Sequence, residues 1–148
     1  QSQSTSGASS IGQAAALAAL TGPQDCVERF ARDFKKRRDA ALAILKDAPG
    51  LRCETPDGAF YIFPDCSALI GRELAGGQRF ANDAEFVRYI LEETGVAVID
   101  GASYGVPSTF RLSFAASIED VIEGCTVIRD LCLRLAGEAS YSNKERVA

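Results

Sequence analysis

The segment Phe110-Arg111-Leu112-Ser113-Phe114 limits the fold more than any other part of this chain. Its apolar and polar residues alternate strictly, which is the period of a strand with one buried face. Phe110, Leu112 and Phe114 belong to that face, and Arg111 and Ser113 to the opposite one. Ser117 then opens a helical pattern in which Ile118, Val121, Ile122, Cys125, Ile128, Cys132 and Leu135 share a stripe, and Gly137 ends it. A strand that runs at once into a long amphipathic helix calls for a sheet with a helix laid on its apolar face. Arg111 is left on the other side, carried by a rigid strand. There its planar fork of donors suits a carboxylate. An arginine on a solvated sheet face is the plainer alternative.

The rest of the pattern supplies the remaining elements. Residues 10–20 form an alanine-rich helix with Ser9 or Ser10 as N-cap. Thr21-Gly22-Pro23 breaks it and starts another helix, along which Val27, Phe30, Phe34, Ala41 and Leu45 recur at helical spacing. That helix reaches Ala48, about 25 residues on, before Pro49-Gly50 stops it. Residues 51–54 and 59–63 read as strands around the turn Thr55-Pro56-Asp57-Gly58, and residues 65–79 as a loop. Asn82 with Glu85 caps a helix whose stripe is Phe86, Val87, Ile90 and Leu91 and whose stop is Gly95. Residues 96–99 read as a short strand, and 100–109 as a loop. The expected fold is α+β: a small sheet with helices packed on one face, preceded by a long helix.

Composition excludes several function classes. The chain has 148 residues, a prior for one domain, and its 47% hydrophobic content is ordinary for a globular protein. Net charge is −4, and the one basic run, Lys35-Lys36-Arg37-Arg38, falls in a mixed-charge helical stretch, so no nucleic-acid partner is expected. No apolar run is long enough to span a bilayer and no signal segment is visible, so no membrane partner is expected. There is no histidine, which removes Ser-His-Asp and Cys-His catalysis within the chain and the zinc sites that mix Cys with His; no metal site is expected. Five cysteines, an odd number without a C-x-x-C pair, fit a reducing, cytoplasmic compartment, and Cys125 and Cys132, seven apart on one helix face, suit buried thiols.

Four segments, in order, carry a family resemblance: Gln1-Ser2-Gln3-Ser4-Thr5-Ser6 with the Ala14–Leu20 run, Gly58-Ala59-Phe60-Tyr61-Ile62-Phe63, Gly95-Val96-Ala97-Val98-Ile99-Asp100-Gly101 followed by Ala102-Ser103-Tyr104-Gly105, and the Arg111 strand. Together they resemble the C-terminal part of the class I/II, fold type I, pyridoxal-phosphate aminotransferases, and most closely the bacterial aspartate aminotransferase branch. The resemblance runs from Gln1 to about Leu135. It implies three parts: residues 1–22 as a remnant of the large cofactor-binding domain, 23–137 as the small domain, and 138–148 as a polar tail. It makes the long helix an interdomain helix.

The resemblance also implies roles. Arg111 would clamp the substrate α-carboxylate, and Phe60 would line the substrate pocket. Ser4, Thr5 and Ser6 would reach toward the neighbouring subunit's site in a homodimer, although this chain has Gly7-Ala8 where the family commonly has Asn-Pro. The family more often has Pro at Asp100, and Ser-Ala-aromatic at Ala102-Ser103-Tyr104. Read on its own, Gly101–Gly105 is a turn and not a phosphate loop, since it lacks the lysine and spacing of one. The implied reaction moves an amino group between an L-amino acid, aspartate by best match, and a 2-oxo acid. The implied cofactor is pyridoxal 5′-phosphate. Its lysine is expected outside this chain, because Lys35, Lys36 and Lys46 lie in charged stretches and Lys144 in a polar tail. A catalytic residue is therefore not expected here, nor a covalently held cofactor, nor activity of the chain alone. A standalone α+β module that binds a small carboxylate without chemistry is the alternative.

Overall fold

Backbone capping sets the limits of the helices in the computed structural model, which describes residues 7–137. Ser9 Oγ accepts from the Gly12 N–H at the start of α1 (Ser10–Thr21). Asn82 Oδ1 accepts from the Glu85 N–H at the start of α3 (Asp83–Thr94), while Glu85 Oε2 accepts from the Ala81 N–H. Ser117 Oγ accepts from the Asp120 N–H at the start of α4 (Ile118–Ala136). Gly95 and Gly137 close α3 and α4 at φ of 74° and 81°, a left-handed turn that only glycine makes without strain. α2 (Asp25–Leu45) has Asp25 and Glu28 in its first turn, where the helix dipole favours acids. It ends three residues before the expected Ala48, which lies in the turn that follows.

The described chain divides into two units, one ending at Asp33 and the other starting at Phe34. In the first, α1 buries no residue, and Ile11, Leu17, Leu20, Val27 and Phe30 are all exposed. The expected stripe of α2 is therefore buried only in its second half, at Ala41 and Leu45.

The second unit is built on a three-stranded antiparallel sheet in the order β1 (Tyr61–Ile62), β3 (Phe110–Ser113), β2 (Ile99–Asp100). Phe110, Leu112 and Phe114 are buried, as the alternation requires, and pack in one core with Phe86, Ile90, Val121, Cys125 and Ile128 from α3 and α4. Cys66, Cys125 and Cys132 are buried thiols. In α4, Leu131 belongs to the buried stripe, and the expected Ile122 is 42% exposed. Leu91 of α3 is exposed as well.

The strands are shorter than expected, and one is displaced. Residues 51–54 form no strand: their only ladder contact among the described residues is an isolated antiparallel bridge from Arg52 to Asp65. The residues between them close no tight hairpin at Thr55–Gly58. The 59–63 strand is reduced to two residues because Ala59 has a φ of 58° and Pro64 has no N–H for the ladder. Pairing nevertheless continues past Pro64, whose carbonyl accepts from Phe110 N–H, to a bridge between Asp65 and Thr109. The 96–99 strand becomes β2, displaced toward the following loop, because only Ile99 and Asp100 lie beside β3.

Candidate functional site

Arg111 sits on the central strand with a neighbour on each side. Ile99 is its partner on β2. On the β1 side, Tyr61 pairs with Ser113 and Ile62 with Leu112. The same register recurs at Asp65 and Thr109, which places Phe63 across from Arg111. Buried Phe110 and Leu112 anchor the backbone on either side of the arginine. The guanidinium is thus carried by the best-fixed part of the sheet.

Two tyrosines flank it. The Arg111 Cζ lies 4.5 Å from the Tyr61 ring centroid and 4.5 Å from the Tyr104 ring centroid. Both distances are well inside cation–π range. Tyr61 reaches the arginine because strand alternation sets it on the same face. Tyr104 comes from the loop between β2 and β3, and the edge of its ring relationship with Phe63, 5.9 Å at 80°, supports it from the side. The Arg111 guanidinium makes no ion pair and no hydrogen bond among the described residues; Arg32, Arg38, Arg52, Arg79, Arg88, Arg129 and Arg134 each have an acidic partner, while Arg29 and Arg37, like Arg111, lie over aromatic rings. Its cation is met by two aromatic rings, and no acidic side chain pairs with it among the described residues.

The loop that carries Tyr104 is tied at several points. Ala102 N–H donates to the buried Asp83 carboxylate at 2.9 Å, and the Ser103 N–H and hydroxyl both donate to Asp100 Oδ1 at 2.9 Å. The Ser103 hydroxyl, then its N–H, hold the Asp100 carboxyl below its usual range. Gly101 donates to the Thr109 carbonyl and accepts from Val106 N–H. A methyl group at Gly101 would run into Thr109 Oγ1 and the Val106 carbonyl, so this position has room only for glycine. The residues expected to form a simple turn thus form a short 3-10 turn, Ala102–Tyr104, braced on three elements.

Phe60 packs against Tyr61, the ring that also meets Arg111. Its ring stacks on Phe34 at 5.8 Å and tilts against Tyr61 at 4.4 Å, so Tyr61 stands between Phe60 and the arginine. Phe60 is 38% exposed, which is more than a core phenylalanine would be. Ser4, Thr5 and Ser6 lie outside the described residues. Tyr61 and Tyr104 went unassigned in the sequence. The parity of Tyr61 with Arg111 and Ser113 was a usable signal for the first; nothing local marks the second, because its approach depends on the turn of the loop.

No group of acidic, Cys or His residues that could hold a metal occurs among the described residues. Among the described residues no lysine fits a pyridoxal-phosphate centre: Lys35, Lys36 and Lys46 are exposed, without the apolar surroundings that imine chemistry needs. Arg111 lines neither of two surface concavities, of about 100 and 290 Å³, found elsewhere in the second unit. Arg111 itself is half-buried.

Known proteins match this chain over most of its length. The sequence profile of the aminotransferase class I and II family matches residues 1–128. Aspartate/prephenate aminotransferase of Cereibacter sphaeroides is 45% identical over 136 residues, covering 92% of this chain and 34% of that protein. The crystal structure of aspartate aminotransferase from Rhizobium meliloti superposes with a TM-score of 0.83 at 40% identity, covering 90% of this chain and 34% of that one. Alanine aminotransferase from Pyrococcus furiosus superposes with a TM-score of 0.71 at 32% identity, covering 81% of this chain and 29% of that one. The chain spans about a third of the length of the curated relatives it matches.

Proposed function

The chain belongs to the class I and II aminotransferase family, and from that premise we propose that it is the carboxylate-gripping portion of a pyridoxal-phosphate transaminase. In the full-length protein Arg111 holds the α-carboxylate of an L-amino acid and then of the 2-oxo acid. A two-point contact fixes the substrate about its α-carbon, which the reaction needs because only one C–H bond is to be broken. The observation that carries this reading is the state of Arg111: fixed on the central strand, flanked by two rings, and without an acidic partner among the described residues. Phe60 contributes apolar wall next to that grip.

Aspartate is the proposed amino donor, since relatives at 45% and 41% identity are an aspartate/prephenate and an aspartate aminotransferase. In this reading the cofactor and its lysine belong to a part of the protein outside this chain, which the exposure of Lys35, Lys36 and Lys46 supports. The isolated chain is accordingly inactive. Full-length protein functions as a homodimer in a cytoplasmic compartment, with Ser4, Thr5 and Ser6 near the neighbouring subunit's site.

Inhibitor binding tests the reading. In the full-length protein, Arg111→Lys is expected to weaken binding of a four-carbon dicarboxylate by about tenfold or more, because an ammonium cannot reproduce a planar fork. Unchanged binding would make Arg111 an ordinary surface arginine.

A further inference from the structure

We propose that Tyr61 and Tyr104 are positioning residues: resting on the reading of Arg111 as a carboxylate clamp, they fix the plane of its guanidinium before the ligand arrives. The Cζ atom lies 4.5 Å from each ring centroid, and the two rings come from separate parts of the chain, β1 and the loop after β2. Aromatic faces attract the guanidinium cation and offer its N–H groups at most a weak acceptor. The rings therefore restrain the cation without supplying a charged acceptor, and its donors stay available to a carboxylate.

The cost that this arrangement removes is substantial. An unrestrained arginine side chain samples many rotamers, and part of that freedom is lost when a ligand fixes it. A side chain already held loses less on binding. Neither tyrosine is in place for the sake of the core. Tyr104 is 45% exposed, and its contacts among the described rings are Arg111 and the edge of Phe63. The loop that presents it is nonetheless secured by Asp83, Asp100 and the close fit at Gly101. A braced loop that ends in an exposed ring over a cation is built to hold that cation.

Steady-state kinetics and dicarboxylate inhibition of the full-length protein test this. The variants are Tyr61→Leu, Tyr104→Leu, Tyr61→Phe and Tyr104→Phe, with each Leu variant also made in an Arg111→Lys background. Each Leu substitution alone should raise KM for the amino acid and the inhibition constant at least about fivefold, with kcat within about twofold. Each Phe variant should stay within about twofold of the parent, since the ring and not the hydroxyl does the holding. In the Arg111→Lys background the Leu substitutions should cost nothing further. Tyr104→Gln repeats the test with a polar side chain at this exposed position if Tyr104→Leu proves insoluble. Leu and Gln variants that bind like the parent, or losses that persist undiminished in the Arg111→Lys background, would overturn the proposal alone. An Arg111→Lys variant with no loss of its own would overturn the clamp and the positioning together.

Discussion

Asp83 Oδ2 accepts from the Ala102 N–H at 2.9 Å, tying the first residue of α3 to the loop that carries Tyr104. Asp83 is 3% exposed, the one buried charged residue among those described. A carboxylate at that place is favoured twice, by the hydrogen bond and by the positive end of the helix. The helix start thereby becomes a brace for the site.

Replacing Asp83 by Ala should loosen that brace. The Ala102 N–H loses its acceptor and α3 loses an acid in its first turn, a combined cost of about 1–2 kcal/mol. Chemical denaturation would show a lower midpoint at unchanged slope, and KM should rise with it as Tyr104 loses its fixed place. A midpoint equal to the parent's would mean that the loop needs no such tie.

Gly101→Ala tests the same loop from inside. Its φ of −75° is allowed for any residue, so the penalty is one of space, from Thr109 Oγ1 and the Val106 carbonyl. Overpacking of this kind costs about 1–3 kcal/mol. Thermal unfolding should register it as a drop of several degrees. By contrast, Gly58→Ala meets no neighbour within 4 Å and should be far milder.

These positions also show what the sequence made legible. Asn82, Ser117, Gly95 and Gly137 act within a turn of their own helix, and each marks a helix end where its local chemistry says it should. The face of Arg111 was equally readable, because alternation is local to one strand. Strand limits were not, since they depend on partners distant in sequence: Arg52 finds only Asp65, and β2 is shifted because only Ile99 and Asp100 reach β3. The aromatic flanks of Arg111 needed both kinds of information at once. Tyr61 requires the β1–β3 register, and Tyr104 requires the loop to fold back over the sheet. The outer half of the α2 stripe misled for another reason: Val27 and Phe30 have helical spacing yet remain exposed.

Cysteine reactivity should follow burial. Desolvation pushes the Cys66, Cys125 and Cys132 thiols up to about 12, and that of Cys53 up to about 11. Almost none of each is thiolate at pH 8, so a thiol-specific alkylating reagent should spare them in the native protein and modify them after denaturation. Exposed Cys26 should react first. Mass mapping of native protein that found Cys125 or Cys132 labelled as fast as Cys26 would contradict the core described.

Acid should weaken the turn at Asp65. Hydrogen bonds from Ser67, side chain first and then backbone, with Arg52 adding a salt bridge at 2.6 Å, lower this carboxyl from 3.8 to about 2. The folded value lies below the unfolded one, so the stabilisation is complete above about pH 4 and is lost as pH falls through about 2. After screening by solvent it amounts to about 1 kcal/mol. Asp65→Asn should be less stable than the parent by that amount at pH 7, and the gap should close toward pH 2. A gap independent of pH would assign the effect to packing and not to charge.

The central claim is that Arg111 holds the carboxylate common to every amino-acid substrate. The most direct test is kcat/KM of full-length Arg111→Lys with one acidic and one apolar amino acid. The account predicts that both fall by similar factors, each equivalent to about 2 kcal/mol or more. Values within about twofold of the parent for both substrates, or a loss confined to the acidic one, would contradict it.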